Sequence, residues 1–371
     1  MSPVLGAALP DPPLALLLEL THRCPLRCGY CSNPLELEAA GRELDTRTWC
    51  RVLDEAAALG VLQVHFSGGE PSTRRDLEQL VAHAHALDLY TNLITSGVLL
   101  ERARLEALVQ AGLEHVQLSV QDSDPASADR IAGYAGHARK LAFARWLGEL
   151  GVAFTLNAVV HRQNLERLDA VIELAVELGA QRLEVAHVQY YGWARPNLGA
   201  LLPTAEQLDA ATASVEAARA RLRGRLRIDY VIPDLHAELP KACMDGWGRR
   251  FLGVTPSGSV LPCQAAQTLP GLHFENVRER GLAEIWNESA AFQRFRGTAW
   301  MPEPCRSCER REIDWGGCRC QALALLGDAA ATDPVCAKSP EHAVVQRLAE
   351  SASRGGGSPY LYRGARGAER A

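Results

Sequence analysis

From residue 15 to residue 187 the chain alternates short apolar runs with longer amphipathic ones, and few folds accept that rhythm. Strand-like runs stand at Ala15–Leu20, Gln63–Phe66, Tyr90–Ile94, His115–Val120, Ala153–Val159 and Arg182–His187. Helical periodicity fills the intervals at Thr46–Leu59, Arg74–Leu87, Leu99–Gln110, His137–Leu150 and Leu165–Leu178. Gly60, Gly112, Gly151 and Gly179 follow four of these helices, where a left-handed cap is wanted. Strict strand–helix alternation predicts a parallel sheet, because a parallel neighbour is reached only by a crossover. Six such runs predict an α/β fold, an incomplete (β/α)6 barrel of the TIM type, ending near residue 234 after the helix Ala205–Leu222 and the strand-like Leu226–Ile232. In a barrel of this kind active-site groups emerge at the carboxyl ends of the strands. Cys24, Gly68, Ser96, Ser119, Gln121, Asn157 and Gln189 fall there.

The first of those strand ends carries Cys24, Cys28 and Cys31 in the spacing C-x3-C-x2-C. Three thiolates on a four-iron cluster leave one iron without a protein ligand, and an open metal position is where a substrate coordinates. A zinc site completed by His22 or His65 is the alternative on spacing alone. The second strand runs into Ser67-Gly68-Gly69-Glu70-Pro71. Two glycines allow close backbone approach, and Glu70 adds a negative charge suited to an ammonium group. Isolated Ser and Asn residues such as Ser96, Ser119 and Asn157 also act as local backbone caps in turns, and Gln121 follows the fourth strand beside them. His187, Gln189, Tyr190 and Tyr191 either face a substrate or pack.

The cysteine triplet with Tyr30 inside it, followed by the Gly-Gly-Glu-Pro turn, resembles the radical S-adenosylmethionine (SAM) superfamily. The resemblance implies that Cys24, Cys28 and Cys31 bind a [4Fe-4S] cluster whose open iron chelates SAM, and that reduction cleaves SAM to a 5′-deoxyadenosyl radical. It further implies that Gly68, Gly69 and Glu70 hold the methionine end of SAM. The Tyr30 backbone would meet the adenine, and Ser119 and Asn157 the ribose or carboxylate.

A second group of seven cysteines lies between residues 243 and 336. Cys243 and Cys263 flank the strand signals Phe251–Val254 and Ser257–Val260, which read as a hairpin around the Pro256–Gly258 turn. Cys305, Cys308, Cys318, Cys320 and Cys336 follow in sequence with little regular pattern, and two zinc sites satisfy the spacing as well as iron does. Residues 281–296 read as one amphipathic helix with Leu282, Ile285, Trp286 and Phe292 on its buried face. The order of Cys243, Gly258-x4-Cys263, Cys305-x2-Cys308 and Cys336 resembles the SPASM extension of radical SAM peptide-modifying enzymes, which implies two auxiliary iron–sulfur clusters, [4Fe-4S] or [2Fe-2S]. Where that pattern carries a further cysteine this chain has Asp314, otherwise an ordinary solvated loop acid. The resemblance implies one cluster on Cys305, Cys308, Asp314 and Cys336, leaving Cys243, Cys263, Cys318 and Cys320 for the other.

The text around Arg23–Pro34, the segment Glu184–Trp193 and the Asp314 exchange narrow the likeness. From about residue 12 to 345 the chain resembles the radical SAM enzymes of pyrroloquinoline quinone (PQQ) biosynthesis. What this implies is a carbon–carbon bond between glutamate and tyrosine side chains of a small precursor peptide, a small peptide-binding chaperone and a flavodoxin-like electron donor. Another SPASM-type peptide maturase, or a non-catalytic zinc or iron–sulfur protein, remains the competing expectation.

Composition sets outer bounds. With 371 residues and 47% hydrophobic content the chain can bury a large domain and a smaller one, expected at 14–234 and 235–345. Residues 1–13 and 346–371 read as terminal tails, the latter flexible, for want of apolar periodicity after Ser351. A formal charge of −5 predicts no nucleic-acid partner. The run Leu14–Leu20 is too short for a membrane span and lacks a basic leader, and metal-type cysteine spacing predicts a reducing, cytoplasmic setting. Cys50, beside Trp49 in a predicted helix, reads as a buried free thiol.

Overall fold

The computed structural model describes residues 10–354 and 360–364. Seven strands lie side by side in chain order, each parallel to the next: β1 (Ala15–Glu19), β2 (Gln63–Ser67), β3 (Tyr90–Thr95), β4 (His115–Val120), β5 (Ala153–Val160), β6 (Arg182–His187) and β7 (Arg227–Val231). The strand-like run expected to close the barrel is thus a full seventh member. Along β4, Val116, Leu118 and Val120 are buried while His115, Gln117 and Ser119 are half-buried. This alternation follows from the pleat, which sends successive side chains to opposite faces. The apolar face, with Leu16, Leu18, Val64, Phe66 and Leu156, joins Trp49, Leu53, Leu80, Leu108, Phe143 and Ile172 from the helices in one continuous core. The polar face looks inward onto a cavity that residues from all seven strands line.

Helix ends follow local chemistry. The helix Thr46–Leu59 starts where the Asp45 carboxylate accepts from Thr48 N at 2.8 Å, and stops at Gly60 with φ 95°. The next helix begins at Leu77 rather than Arg74, because residues 71–73 form a tighter 3-10 turn after Glu70. A helix over Pro125–Ala132 was not expected; its signal is Asp124-Pro125, with the Asp124 side chain accepting from Ser127 N at 2.7 Å.

The hairpin of the cysteine-rich half, β8 (Phe251–Val254) and β9 (Val260–Leu261), is antiparallel, and β8 adds parallel to β1 with Ala15 opposite Phe251. One nine-stranded sheet therefore crosses the domain boundary expected near residue 234. The helix expected over 281–296 is two helices, Leu282–Glu288 and Ala290–Gln293, broken at Ser289, whose hydroxyl donates to Glu275 Oε2 at 2.5 Å. Leu282, Ile285, Trp286 and Phe292 are buried. A helix over Arg319–Leu326 includes Cys320, in sequence read as irregular.

Both tails need correction within the described residues. Asp11 O accepts from Trp286 Nε1 at 3.0 Å, while residues 1–9 lie outside the described residues. The expected flexible tail starts inside the helix His342–Arg354, whose Val345 packs with Leu202, Leu235 and Val335. Residues 360–364 lie against the first cysteine loop, with Arg363 N donating to Arg27 O at 2.9 Å. Residues 355–359 and 365–371 lie outside the described residues. Cys50 is free and half-buried rather than fully enclosed. Among the described residues no helix is long and apolar enough to cross a membrane.

Candidate active site and metal centres

The loop after β1 is shaped by the glycine turn after β2. Gly69 N donates to Thr21 O at 2.6 Å and Glu70 N to Arg23 O at 2.8 Å, so the turn's amides are bonded to the backbone of the cysteine loop. A Cβ on Gly68 would lie 2.3 Å from Thr21 O, and one on Gly69 2.5 Å from Arg23 O. The glycines therefore serve first to let two chain segments touch. Glu70 also departs from expectation. Its carboxylate is wholly buried, Oε1 accepting from Ser72 N, Ser72 Oγ and Thr95 Oγ1 and Oε2 from Ser96 N and Ser96 Oγ. With five donors on it, the charge ties β3 to the turn and does not line the cavity. A carboxylate offered to an ammonium group would be solvated or open in the free protein, and this one is closed.

Cys24, Cys28 and Cys31 line a cavity of about 550 Å³ together with Tyr30, Ser67, Gly68, Gly69, Ser96, Ser119 and Gln121. Burial pushes Cys24 up to about 12, with Glu70 and Cys28 adding to the rise. Burial likewise lifts Cys28 and Cys31 to about 11. Burial keeps these three cysteines as neutral thiols in the bare pocket, and coordination to cationic iron would reverse that preference. His22 Nδ1 accepts from Glu38 N at 2.9 Å and His65 Nδ1 pairs with Asn92 Nδ2 at 2.8 Å, and neither histidine lines the cavity with the triplet. The donor set fits a cluster with one open iron.

Two groups at the cavity were not among the site residues named from sequence: Lys140, behind the wall, and Glu184, on it. Gln121 Nε2 donates to the Tyr30 hydroxyl at 3.0 Å, and its Oε1 accepts from Lys140 Nζ. Lys140 is almost wholly buried, and burial lowers its pKa to about 8. Tyr30 is thus tied into the cavity wall through its side chain. Asn157 does not line the cavity. Its Nδ2 donates to Glu184 Oε2 at 3.0 Å, as does Gln117 Nε2, and Glu184 is the carboxylate on the wall. A lone Glu in a strand gives no signal until the barrel turns that face inward. His187, Gln189 and Tyr191 line the same cavity, whereas Tyr190 packs with Val188 and Leu202.

The later cysteines fall into two groups. Cys305, Cys308, Asp314 and Cys336 line one small cavity with Thr332, Asp333 and Lys338. Cys305 Sγ lies 3.7 Å from Thr332 Oγ1, and Lys338 Nζ donates to Cys308 Sγ at 3.5 Å. Cys243, Cys263 and Cys318 line a second cavity. Cys263 interacts with Cys243 and Cys320, and Cys318 with the same two, so four thiols close a ring of mutual contacts. Among the described residues no group of three or more His, Cys, Asp or Glu has the spacing of a single-ion site. The fit of these groups to multi-iron clusters therefore rests on donor number and softness. Asp333, unassigned from sequence, lines both cavities and accepts from Cys318 N at 2.7 Å. Gln189, Tyr191, Met244 and Gln264 line both the strand-end cavity and that of Cys243, so the two are neighbours.

A radical SAM superfamily model matches residues 18–175, and an iron–sulfur cluster-binding SPASM domain matches residues 243–309. The chain is 61% identical over 353 residues to a PqqA peptide cyclase of Rhodopseudomonas palustris, covering 95% of this chain and 94% of that one. The chain belongs to the PqqA peptide cyclase family. A second relative, the PqqA peptide cyclase of Granulibacter bethesdensis, is 59% identical over 95% and 94% of the two chains. As a member of this family the chain is a radical SAM enzyme with a SPASM domain, an organisation that carries a SAM-binding iron–sulfur cluster and auxiliary iron–sulfur clusters. Streptococcus suis SuiB bound to S-adenosylmethionine shares the fold, with a TM-score of 0.74 at 22% identity over 88% of this chain and 77% of that one. So does anSMEcpe with bound AdoMet and Kp18Cys peptide, with a TM-score of 0.68 at 16% identity over 92% and 100%.

Proposed function

We propose that this chain joins a glutamate and a tyrosine side chain of a small precursor peptide, the PqqA peptide of its relatives, in PQQ biosynthesis. The observation that carries the reading is one cavity holding an incomplete thiol set at seven strand ends, next to a second, complete set of four thiols. Cys24, Cys28 and Cys31 are the ligands of the first [4Fe-4S] cluster in this reading, Cys243, Cys263, Cys318 and Cys320 those of the nearer auxiliary cluster, and Cys305, Cys308, Asp314 and Cys336 those of the other. When bound with SAM and reduced, the first cluster supplies a 5′-deoxyadenosyl radical.

The protein's own groups set the conditions for that chemistry. Gly68 and Gly69 fix the cysteine loop against β2, and Glu70 locks their turn to β3. The Tyr30–Gln121–Lys140 chain holds the far side of the loop and places a buried cation near Cys28. Ser119, Glu184 and Gln189 offer the cavity hydrogen-bonding groups for ribose hydroxyls and peptide amides. Joining a glutamate carbon to a tyrosine ring removes two hydrogens. One leaves as an atom to the adenosyl carbon; the other leaves as a proton and an electron. An electron acceptor beside the substrate is therefore required, and Tyr191, on the wall of both cavities, supports placing it at the Cys243 group.

The precursor is presented by a small peptide-binding chaperone and the first electron comes from a flavodoxin-like donor in the same proposal. The test is anaerobic reconstitution with iron, sulfide, SAM, reductant, precursor peptide and chaperone. A product two hydrogens lighter, with fragmentation locating the link between glutamate and tyrosine, is the expected result. Deoxyadenosine formation with an unchanged peptide would reject the substrate assignment.

A further inference from the structure

The segment Tyr360–Arg363 returns to the first cysteine loop from the far end of the chain and is fastened there along its length. Leu361 N donates to Asn197 Oδ1 at 2.7 Å, while Asn197 Nδ2 donates to Leu361 O at 2.7 Å and to Gly29 O at 2.9 Å. The Tyr362 hydroxyl donates to Arg130 O at 2.7 Å. Tyr360 lies so close to the loop that a Cβ on Gly29 would sit 2.7 Å from its ring. Gly29, between Cys28 and Tyr30, is thus the residue that admits the strap. These contacts deliver Arg363 to the cavity wall, 6% exposed, with one Nη donating to His22 O.

Arg363 is the one Lys or Arg among the described residues lining that cavity. Its Nε is buried without a hydrogen-bond partner, and no carboxylate of the described residues is within ion-pair reach. A buried guanidinium without an anion is unfavourable, and its planar fork is shaped for two carboxylate oxygens. Cys24 and Cys31 both feel its charge, so it stands near two of the three cysteines that would hold the first cluster.

We propose that the strap Tyr360–Arg363 is a built part of the active site and that Arg363 binds a carboxylate in the strand-end cavity. The inference rests on the SAM reading of that cavity. Two ligands of the proposed reaction bring a carboxylate there, SAM through its methionine end and the peptide through its glutamate. The position beside Cys24 and Cys31 favours SAM.

The test compares reconstituted wild-type enzyme with Arg363→Ala and Arg363→Lys, at matched iron content and thermal stability. SAM affinity is read from the change in the EPR signal of the reduced first cluster, and peptide affinity from anisotropy of labelled precursor peptide. Loss of roughly tenfold or more in SAM affinity for Arg363→Ala, partly restored in Arg363→Lys, is expected. Unchanged SAM affinity with peptide affinity lowered by the same factor also supports the proposal and assigns the carboxylate to the peptide. Asn197→Ala, which loosens the strap without touching the guanidinium, should move the same affinity in the same direction. Wild-type affinities for both ligands in Arg363→Ala overturn the proposal. A wild-type enzyme whose EPR signal ignores SAM would instead defeat the underlying reading of the site.

Discussion

Replacing Glu70 with Gln separates two roles that the Gly-Gly-Glu turn can have. Each carboxylate oxygen accepts a backbone N–H, Oε1 from Ser72 at 3.2 Å and Oε2 from Ser96 at 2.8 Å. Whichever way the glutamine amide turns, its NH2 faces one of those N–H groups, donor against donor. The serine and threonine hydroxyls can rotate, but the backbone amides cannot. The substitution thus loses the charge assistance on several bonds and leaves at least one buried donor unsatisfied, each worth about 1–3 kcal/mol. A total near 3–5 kcal/mol follows for a residue with no solvent exposure. With an unfolding entropy of about 2.1 cal/mol/K per residue, that loss lowers Tm by about 4–6 °C. Matched anaerobic thermal melts of the metal-free proteins measure it, and Glu70→Asp should not rescue, because a shorter arm cannot reach both strands. If Gln left Tm within a degree of wild type while SAM affinity fell, Glu70 would be a ligand-binding group and the closed hydrogen-bond set would be the wrong account.

Gly68→Ala should impair the site by a different route, since its Cβ would meet Thr21 O at 2.3 Å and its φ is 134°. Reconstitution should then yield less iron at the first centre while the auxiliary centres load normally, read by iron analysis with EPR; full loading would refute the close-approach argument. Asp314→Ala should leave deoxyadenosine formation largely intact while crosslinked peptide falls, and equal loss of both would instead mean collapse of the domain. Burial holds His161 and His187 near a pKa of about 3, below their ordinary 6.5. The unfolded chain therefore binds more protons between those values, so stability present above pH 6.5 is lost as pH falls toward 3, at up to about 1.4 kcal/mol per unit for each histidine. Urea titrations across this range should show a shallower slope for His161→Gln; an unchanged slope would remove His161 from the account.

The strand–helix rhythm and the first cysteine triplet were legible because both are local. Asp45 and Gly60 bound one helix by contacts within a turn, and C-x3-C-x2-C can close on iron from a single loop. Glu70 and Asn157 stand off the cavity wall for a shared reason: a polar residue at a strand end looks free until its partners arrive from other strands. Ser96 is 26 residues from Glu70, and Glu184 is 27 from Asn157. Lys140 carried no signal at all, because on a helix it reads as a solvated charge and only packing against the loop buries it.

What the sequence determined on its own was the class of fold and the likeness to radical SAM peptide-modifying enzymes, since periodicity and motif spacing are written residue by residue. What the tertiary structure decided was which groups share a cavity. It added β8 to the edge of β1, turned Glu184 inward, closed Glu70 off and brought Arg363 back 341 residues to the cysteine loop. Hydrogen bonds and burial act through space over a few ångströms, and chain separation says nothing about that distance until the sheet has formed.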